Sequence, residues 1–282
     1  MSIAEPKNGN LNVNGIRLHT LDWGGTSDPI VLLHATGFLG RIYAPIASAL
    51  TRIGHVYSYD QRGHGDSSPA QDEQYDWQRT MDDLAGFVTS TGFRGVLAFG
   101  HSAGATAIGS LASERPDLIS RAVLVEPVVF ESPTAPELGW RNPLIEGTLK
   151  RRRVFDSVDA MFQNFARKPP FDTWDRAILR DYCEFGTRLN AEGKRELKCK
   201  PEIEARFYET SRDFDGLGRI LRAEVPLLVL IGDKSDSLTR SLSDSIGARL
   251  RKGRVVNVAD TGHFMPMEKP ADIAQMAIDF LR

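Results

Sequence analysis

Val96-Leu97-Ala98-Phe99-Gly100-His101-Ser102-Ala103-Gly104-Ala105-Thr106-Ala107 begins as an apolar run of strand type and passes through Gly-His-Ser-Ala-Gly. Small, helix-compatible residues follow up to Arg115-Pro116, where proline ends the helix. A serine held in a tight turn between a buried strand and a helix needs small neighbours. The glycines on either side let the backbone turn sharply and leave no Cβ where strand and helix crowd together. Such a turn sets the Ser102 hydroxyl at a helix N-terminus, where the Ala103 N–H is free and the helix dipole favours negative charge. Gly-x-Ser-x-Gly alone is a common pattern. Its setting, strand before and helix after, makes it a nucleophile elbow.

Working outward, 282 residues with 41% hydrophobic and 26% charged side chains describe a globular chain large enough for one sizeable core and an insertion. A formal net charge of −2 gives no reason to expect a nucleic-acid or anionic-membrane partner. The one basic run, Lys150-Arg151-Arg152-Arg153, reads as a solvated helix start. Met1 to Asn14 is polar, and no apolar stretch reaches the ~18 residues of a membrane span. Cys183 and Cys199 lack CxxC spacing and a matching histidine cluster, so neither a metal site nor a disulfide framework is expected. The simplest location is the cytoplasm.

Leu11-Asn12-Val13, Asn14-Gly15 and Ile16 to Leu21 spell a hairpin, Asn-Gly between alternating apolar residues being its strongest short signal. Apolar strands follow at Pro29 to Leu33, His55 to Tyr59, Val96 to Phe99 and Ala122 to Val125. Helical segments at Arg41 to Ile53, Asp76 to Ser90 and after Ser102 separate them. Strands that are apolar throughout and alternate with helices form parallel βαβ units buried on both faces. In such sheets functional loops collect beyond the carboxyl ends of the strands. The polar segments His34–Phe38, Asp60–Ser67, Gly100–Gly104 and Glu126 all stand there. The rhythm breaks at about Glu131 and resumes after Arg222, with Leu227 to Ile231, a helix from Thr239 to Arg251, Arg254 to Val258 and a helix from Pro270. Residues 1–130 and 223–282 therefore form the α/β core. Residues 131–222 form a helical insertion, with helices expected at Val154–Arg167, Trp174–Asn190 and Glu202–Thr210 and no strand.

A serine hydroxyl near neutral pH needs a base within hydrogen-bond reach. Of six histidines, His263 lies in a loop after the last strand, on the same sheet edge as Ser102. His19 and His55 read as structural, His34 as bonded within its loop, and His64 as a loop residue. The base needs an acid to fix its tautomer. The chain order Ser102, Asp236, His263 makes Asp236 the first choice, with Glu126 and then Asp233 as alternatives. The oxyanion donors are the N–H groups of Ala103 and Thr36. Phe38, Phe130, Phe162, Phe165, Trp174 and Tyr182 could line an apolar acyl pocket, with His101 and Phe264 beside the elbow and the base. No cofactor or metal is called for.

Taken together, Leu32 to Phe38, Asp60 to Ser67, Gly100 to Gly104, Gly232 to Asp236 and Gly262-His263-Phe264 resemble the α/β-hydrolase fold family, in its branch with an elbow serine and a helical cap. That resemblance implies a mostly parallel eight-stranded sheet flanked by helices, with a cap after the sixth strand covering the site. Two positions depart from the family's habit: His34-Ala35 stands where His-Gly is common, and Ser235 where the acid often stands. A serine at the elbow also differs from the carboxylate of epoxide hydrolases and haloalkane dehalogenases. The expected activity is a serine hydrolase cleaving a carboxylic ester or related acyl bond of a small molecule through an acyl-enzyme. Alternatives are C–C bond or lactone hydrolysis with the same triad, or a non-catalytic small-molecule receptor on the same fold.

Overall fold

The computed structural model describes residues 5–130 and 142–282. Its centre is an eight-stranded sheet in which Lys7–Val13 (β1) and Ile16–Gly24 (β2) form an antiparallel hairpin, joined by Asn14 (φ 49°) and Gly15 (φ 76°). Two consecutive positive φ angles match the twist of paired strands, which is why Asn-Gly suits this turn. Pro29–Leu33 (β3), His55–Tyr59 (β4), Val96–His101 (β5), Ile119–Val125 (β6), Leu227–Gly232 (β10) and Gly253–Val258 (β11) complete it, in the order β1-β2-β4-β3-β5-β6-β10-β11. Every pairing from β4 to β11 is parallel, while β2 meets β4 antiparallel.

Alternation along the strands divides the interior in two. Val31 and Leu33 point to one face of the sheet, and Ile30 and Leu32 to the other. The first face is covered by Trp77–Ser90 (α2) and Ala103–Glu114 (α3), the second by Ala44–Leu50 (α1) and Pro270–Leu281 (α11). Arg240–Arg249 (α9) and the short Met265–Glu268 (α10) flank the last strand. Pro270 separates α10 from α11, since its ring cannot continue the preceding turn. Asp76 caps α2 by accepting from Arg79 N–H at 2.8 Å. A buried pair, Arg62 Nε to Asp83 Oδ2 at 2.7 Å and Arg62 Nη2 to Asp83 Oδ1 at 2.8 Å, ties the loop after β4 to α2.

Between β6 and β10 the described chain carries Leu144–Leu149 (α4), Val158–Phe165 (α5), Arg176–Phe185 (α6), Pro201–Glu209 (α7) and Gly216–Arg222 (α8). The expectation of no strand here is corrected by a three-stranded sheet of Val154–Phe155 (β7), Thr187–Leu189 (β8) and Arg195–Leu197 (β9), in the order β7-β9-β8. Strands of two or three residues are too short to display alternation. The turn between β8 and β9 closes through Asn190 N to Lys194 O at 2.9 Å, with Gly193 at φ 74°. The basic run follows α4 and does not start a helix. Its four cations meet Glu146, Glu204, Asp156 and Glu202 in turn.

Candidate active site

Ser102 sits between β5 and α3 with φ 56° and ψ −122°, a conformation that non-glycine residues rarely adopt. The positive φ belongs to the serine itself. Its glycine neighbours serve packing: a Cβ at Gly100 would lie 2.7 Å from the Ala105 backbone N, and one at Gly104 2.5 Å from the Leu33 carbonyl oxygen. The turn is held by Ser102 N–H donating to Val125 O at 2.9 Å and by Thr106 N–H donating to Ser102 O at 3.0 Å.

His263 arrives on the loop after β11 and sets its Nε2 3.1 Å from Ser102 Oγ. Its Nδ1 lies 3.2 Å from Glu126 Oε2. A carboxylate can only accept, so Nδ1 carries the proton and Nε2 offers its lone pair to the serine hydroxyl. Glu126 directly follows β6, fully buried and with φ 48°. Its Oε1 accepts from Gly232 N–H at 2.7 Å, and its Oε2 accepts from the Ser235 hydroxyl at 2.6 Å as well as from His263.

The expectation that Asp236 stands against His263 is therefore corrected. Asp236 is exposed and makes no hydrogen bond to the histidine; its carboxylate accepts from the Ser237 hydroxyl at 3.5 Å. Asp233 is also exposed and accepts from Thr261 N–H at 3.3 Å. The turn after β10, closed by Ser235 N–H to Gly232 O at 3.1 Å, directs Ser235 inward and leaves both aspartates outside. Because β6 and β10 are neighbours in the sheet, their ends lie side by side, and Glu126 is the carboxylate that reaches His263.

Thr36 lies in the loop after β3, opposite the elbow. Ala35 N–H donates to the Tyr43 hydroxyl at 3.1 Å, Gly37 N–H to His64 Nε2 at 2.9 Å and Phe38 N–H to Ala35 O at 3.2 Å. Among the described residues, Thr36 N–H is the donor of this turn without such a partner. Ala103 N–H, first in its helix, is the second donor left over. Two buried histidines hold the loop. His34 donates from Nδ1 to Ala35 O at 2.8 Å and accepts at Nε2 from Gln61 N–H at 2.8 Å. His64 donates from Nδ1 to Arg62 O at 2.9 Å. Desolvation lowers His34 to about 3 and His64 to about 4, so both are neutral acceptors near neutral pH.

Of the expected pocket residues, Phe38 meets Trp174, Tyr182 and Phe264, with ring centroids 5.2, 5.3 and 5.8 Å away. Phe264 in turn stands 5.1 Å from the His263 ring. Phe130 lies instead beneath the Arg212 guanidinium, 5.3 Å from its centroid. Phe162 lies under Arg180, and Phe165 packs on Phe155 and Phe171 within the insertion. His101 is fully buried with both ring nitrogens engaged, so it presents no polar atom to a ligand. Among the described residues one group, His19, Asp60 and Asp66, brings potential metal-ligand atoms within 4.8 Å of one another. These atoms are already occupied: Asp60 accepts from His19, Gly40 N–H and Asp66 N–H, and Asp66 pairs with Lys198. No described helix is long and apolar enough to cross a membrane.

Comparisons with known proteins agree with this architecture. A family model described as "Alpha/beta hydrolase family" matches residues 30–276. The AB hydrolase superfamily protein YfhM of Bacillus subtilis is 25% identical over 288 residues, covering 96% of each chain. Epoxide hydrolase A of Mycobacterium tuberculosis is 31% identical over 317 residues, again covering 96% of each. The crystal structure of E-2-(acetamidomethylene)succinate hydrolase superposes with a TM-score of 0.84 at 19% identity, covering 98% of this chain and 99% of the other. With its strand order, elbow serine and matching residues, the chain is a member of the alpha/beta hydrolase family.

Proposed function

We propose that this chain is a serine hydrolase cleaving a carboxylic ester or a related acyl bond of a small molecule. The observation that carries the reading is the hydrogen-bonded series Ser102 Oγ, His263 Nε2, His263 Nδ1 and Glu126 Oε2, with steps of 3.1 and 3.2 Å. Ser102 attacks the substrate carbonyl while His263 takes the hydroxyl proton at Nε2. Glu126 holds His263 in the required tautomer and stabilises the imidazolium. The N–H groups of Thr36 and Ala103 receive the developing oxyanion. His263 returns the proton to the leaving group, and water, activated by the same base, hydrolyses the acyl-enzyme.

The bond class follows from the nucleophile. A serine that opened an epoxide would form an ether, which water does not hydrolyse, whereas attack on a carbonyl forms an ester, which it does. The name of the mycobacterial relative therefore does not carry over to this elbow. The aromatic wall of Phe38, Trp174, Tyr182 and Phe264 suits an apolar acyl group of small to medium size. The described part of the insertion, residues 142–222, supplies Trp174 and Tyr182 and acts as the cap. Both cysteines are free and buried, which fits a reducing cytoplasm. C–C and lactone hydrolysis would use the same triad.

Intact-mass detection of fluorophosphonate labelling tests the reading, followed by ester, lactone and β-diketone substrates in parallel. One adduct on wild type, absent from Ser102→Ala, is the expected result. Absence of any adduct on folded wild type would overturn it in favour of a non-catalytic receptor on this fold.

A further inference from the structure

The elbow places a second histidine beside the serine, and the mechanism above leaves it unused. His101 and Tyr43 are buried, at 0% and 1% exposure, and every polar atom on their rings has a partner. His101 Nε2 lies 2.8 Å from the backbone oxygen of His263. A carbonyl only accepts, so Nε2 bears the proton and Nδ1 is the acceptor. Its partner, the Tyr43 hydroxyl at 2.7 Å, must therefore donate. The Tyr43 oxygen then accepts from Ala35 N–H at 3.1 Å. One directed series runs from Ala35 N–H through the tyrosine hydroxyl and the imidazole to the His263 carbonyl.

We propose that Tyr43 and His101 are positioning residues that lock the oxyanion loop and the base loop to each other, so that both reach Ser102 in register. The proposal rests on the acyl-transfer reading above. At the loop end, the Ala35–Thr36 peptide is a planar trans unit, so the Thr36 N–H points opposite to the Ala35 carbonyl. That carbonyl is held by His34 Nδ1 and Phe38 N–H, and the N–H of the same residue by Tyr43. The direction of the oxyanion donor is thereby set from both sides of Ala35. At the other end, the His101 bond fixes the backbone that carries the base. Burial and the neighbouring His263 keep His101 neutral while its neighbour takes up the serine proton. The tautomer matters: His34 and His64 donate from Nδ1 to backbone carbonyls, the reverse of His101.

The test combines Tyr43→Phe, His101→Asn and the double variant on a p-nitrophenyl ester, with active sites counted by fluorophosphonate titration. His101→Gln serves as the conservative variant, because its amide can still donate to the His263 carbonyl. Each single change is expected to lower kcat per titrated site by about 10- to 100-fold with KM within about twofold, as a displacement of up to about 1 Å predicts. The double variant is expected to be no slower than the slower single, and His101→Gln faster than His101→Asn. Nitrogen-15 imidazole spectra of wild type are expected to show His101 as the neutral Nε2–H tautomer. A labelled wild type with unchanged kcat in Tyr43→Phe, losses that multiply in the double variant, or an Nδ1–H tautomer at His101 would overturn the proposal alone. An unlabelled wild type would overturn the acyl-transfer reading itself and the positioning role with it, whatever the tautomer.

Discussion

Glu126 carries more of the site than its size suggests. Its N–H donates to Leu230 O at 2.8 Å, its Oε1 takes the Gly232 N–H, and its Oε2 takes the Ser235 hydroxyl and the base. The left-handed backbone at φ 48° is maintained because these bonds over-determine it. Glu126→Gln keeps the shape but replaces one acceptor oxygen by an amide that competes to donate, favouring the wrong histidine tautomer. A fall in kcat of about 10³- to 10⁴-fold is expected, in line with amide replacement of a triad acid, while Asp236→Asn is expected to change kcat less than about twofold. Steady-state kinetics of both on one ester decide this, and comparable losses would return the acid role to Asp236. Chain order put Asp236 first, and the contact with His263 is made by Glu126 instead, for a physical reason. Glu126 and Asp236 both follow apolar strands, and neighbouring parallel strands end side by side, so spacing along the chain does not rank them. Two local features fit Glu126 once the contact is seen: it abuts Val125 with no intervening loop, and Ser235 donates to its carboxylate. That Ser102 and His263 meet was easier to read, because each stands in a glycine-containing loop beyond an apolar strand.

The loops after β3 and β4 behave as one element, because the histidine of each holds the backbone of the other. His34 Nε2 takes Gln61 N–H and His64 Nε2 takes Gly37 N–H. This exchange has a pH signature. In the unfolded chain an imidazole takes up its proton near 6.5, whereas burial delays protonation to about 4 at His64 and about 3 at His34. Between those limits the unfolded state binds more protons, so stability falls as pH drops below about 6.5. The slope is about 1.4 kcal/mol per pH unit for each histidine, ending near pH 4 for His64 and near 3 for His34. His64→Gln is expected to be less stable than wild type at pH 7 yet to lose less on moving to pH 5. Urea midpoints at the two pH values measure this, and equal pH losses in both proteins would remove His64 from the account. Reading the elements from sequence worked where the apolar run was long and failed at β7, β8 and β9. In those short segments the partner strand, not the local pattern, makes the structure.

Seen whole, the insertion between β6 and β10 shares its core with the sheet. Phe155, Met161, Leu179 and Cys183 belong to the same apolar cluster as Leu32, Phe99, Val123 and Leu230. Phe207 and Leu217 join the cluster on the other face with Val31 and Val229. Backbone and indole bonds cross the same boundary: Asp175 N–H donates to Met267 O at 2.8 Å, and Trp77 Nε1 donates to Phe207 O at 2.7 Å. The shared clusters thus predict that the insertion and the sheet unfold as one unit. A cavity opened inside the insertion must then weaken the sheet as well. Phe155, fully buried on β7, is remote in sequence from Ser102 and His263 and packs on Phe165 at 5.6 Å. Phe155→Ala should destabilise the whole chain by about 3–5 kcal/mol, the range for deleting a buried aromatic ring. Far-UV circular dichroism in urea would register this as one transition moved to lower denaturant. A variant in which the main transition stayed at the wild-type midpoint, with a small early step split from it, would show that the insertion folds on its own account. The shared clusters predict the single shifted transition, because the side chains that would have to separate at that boundary are the ones packed across it.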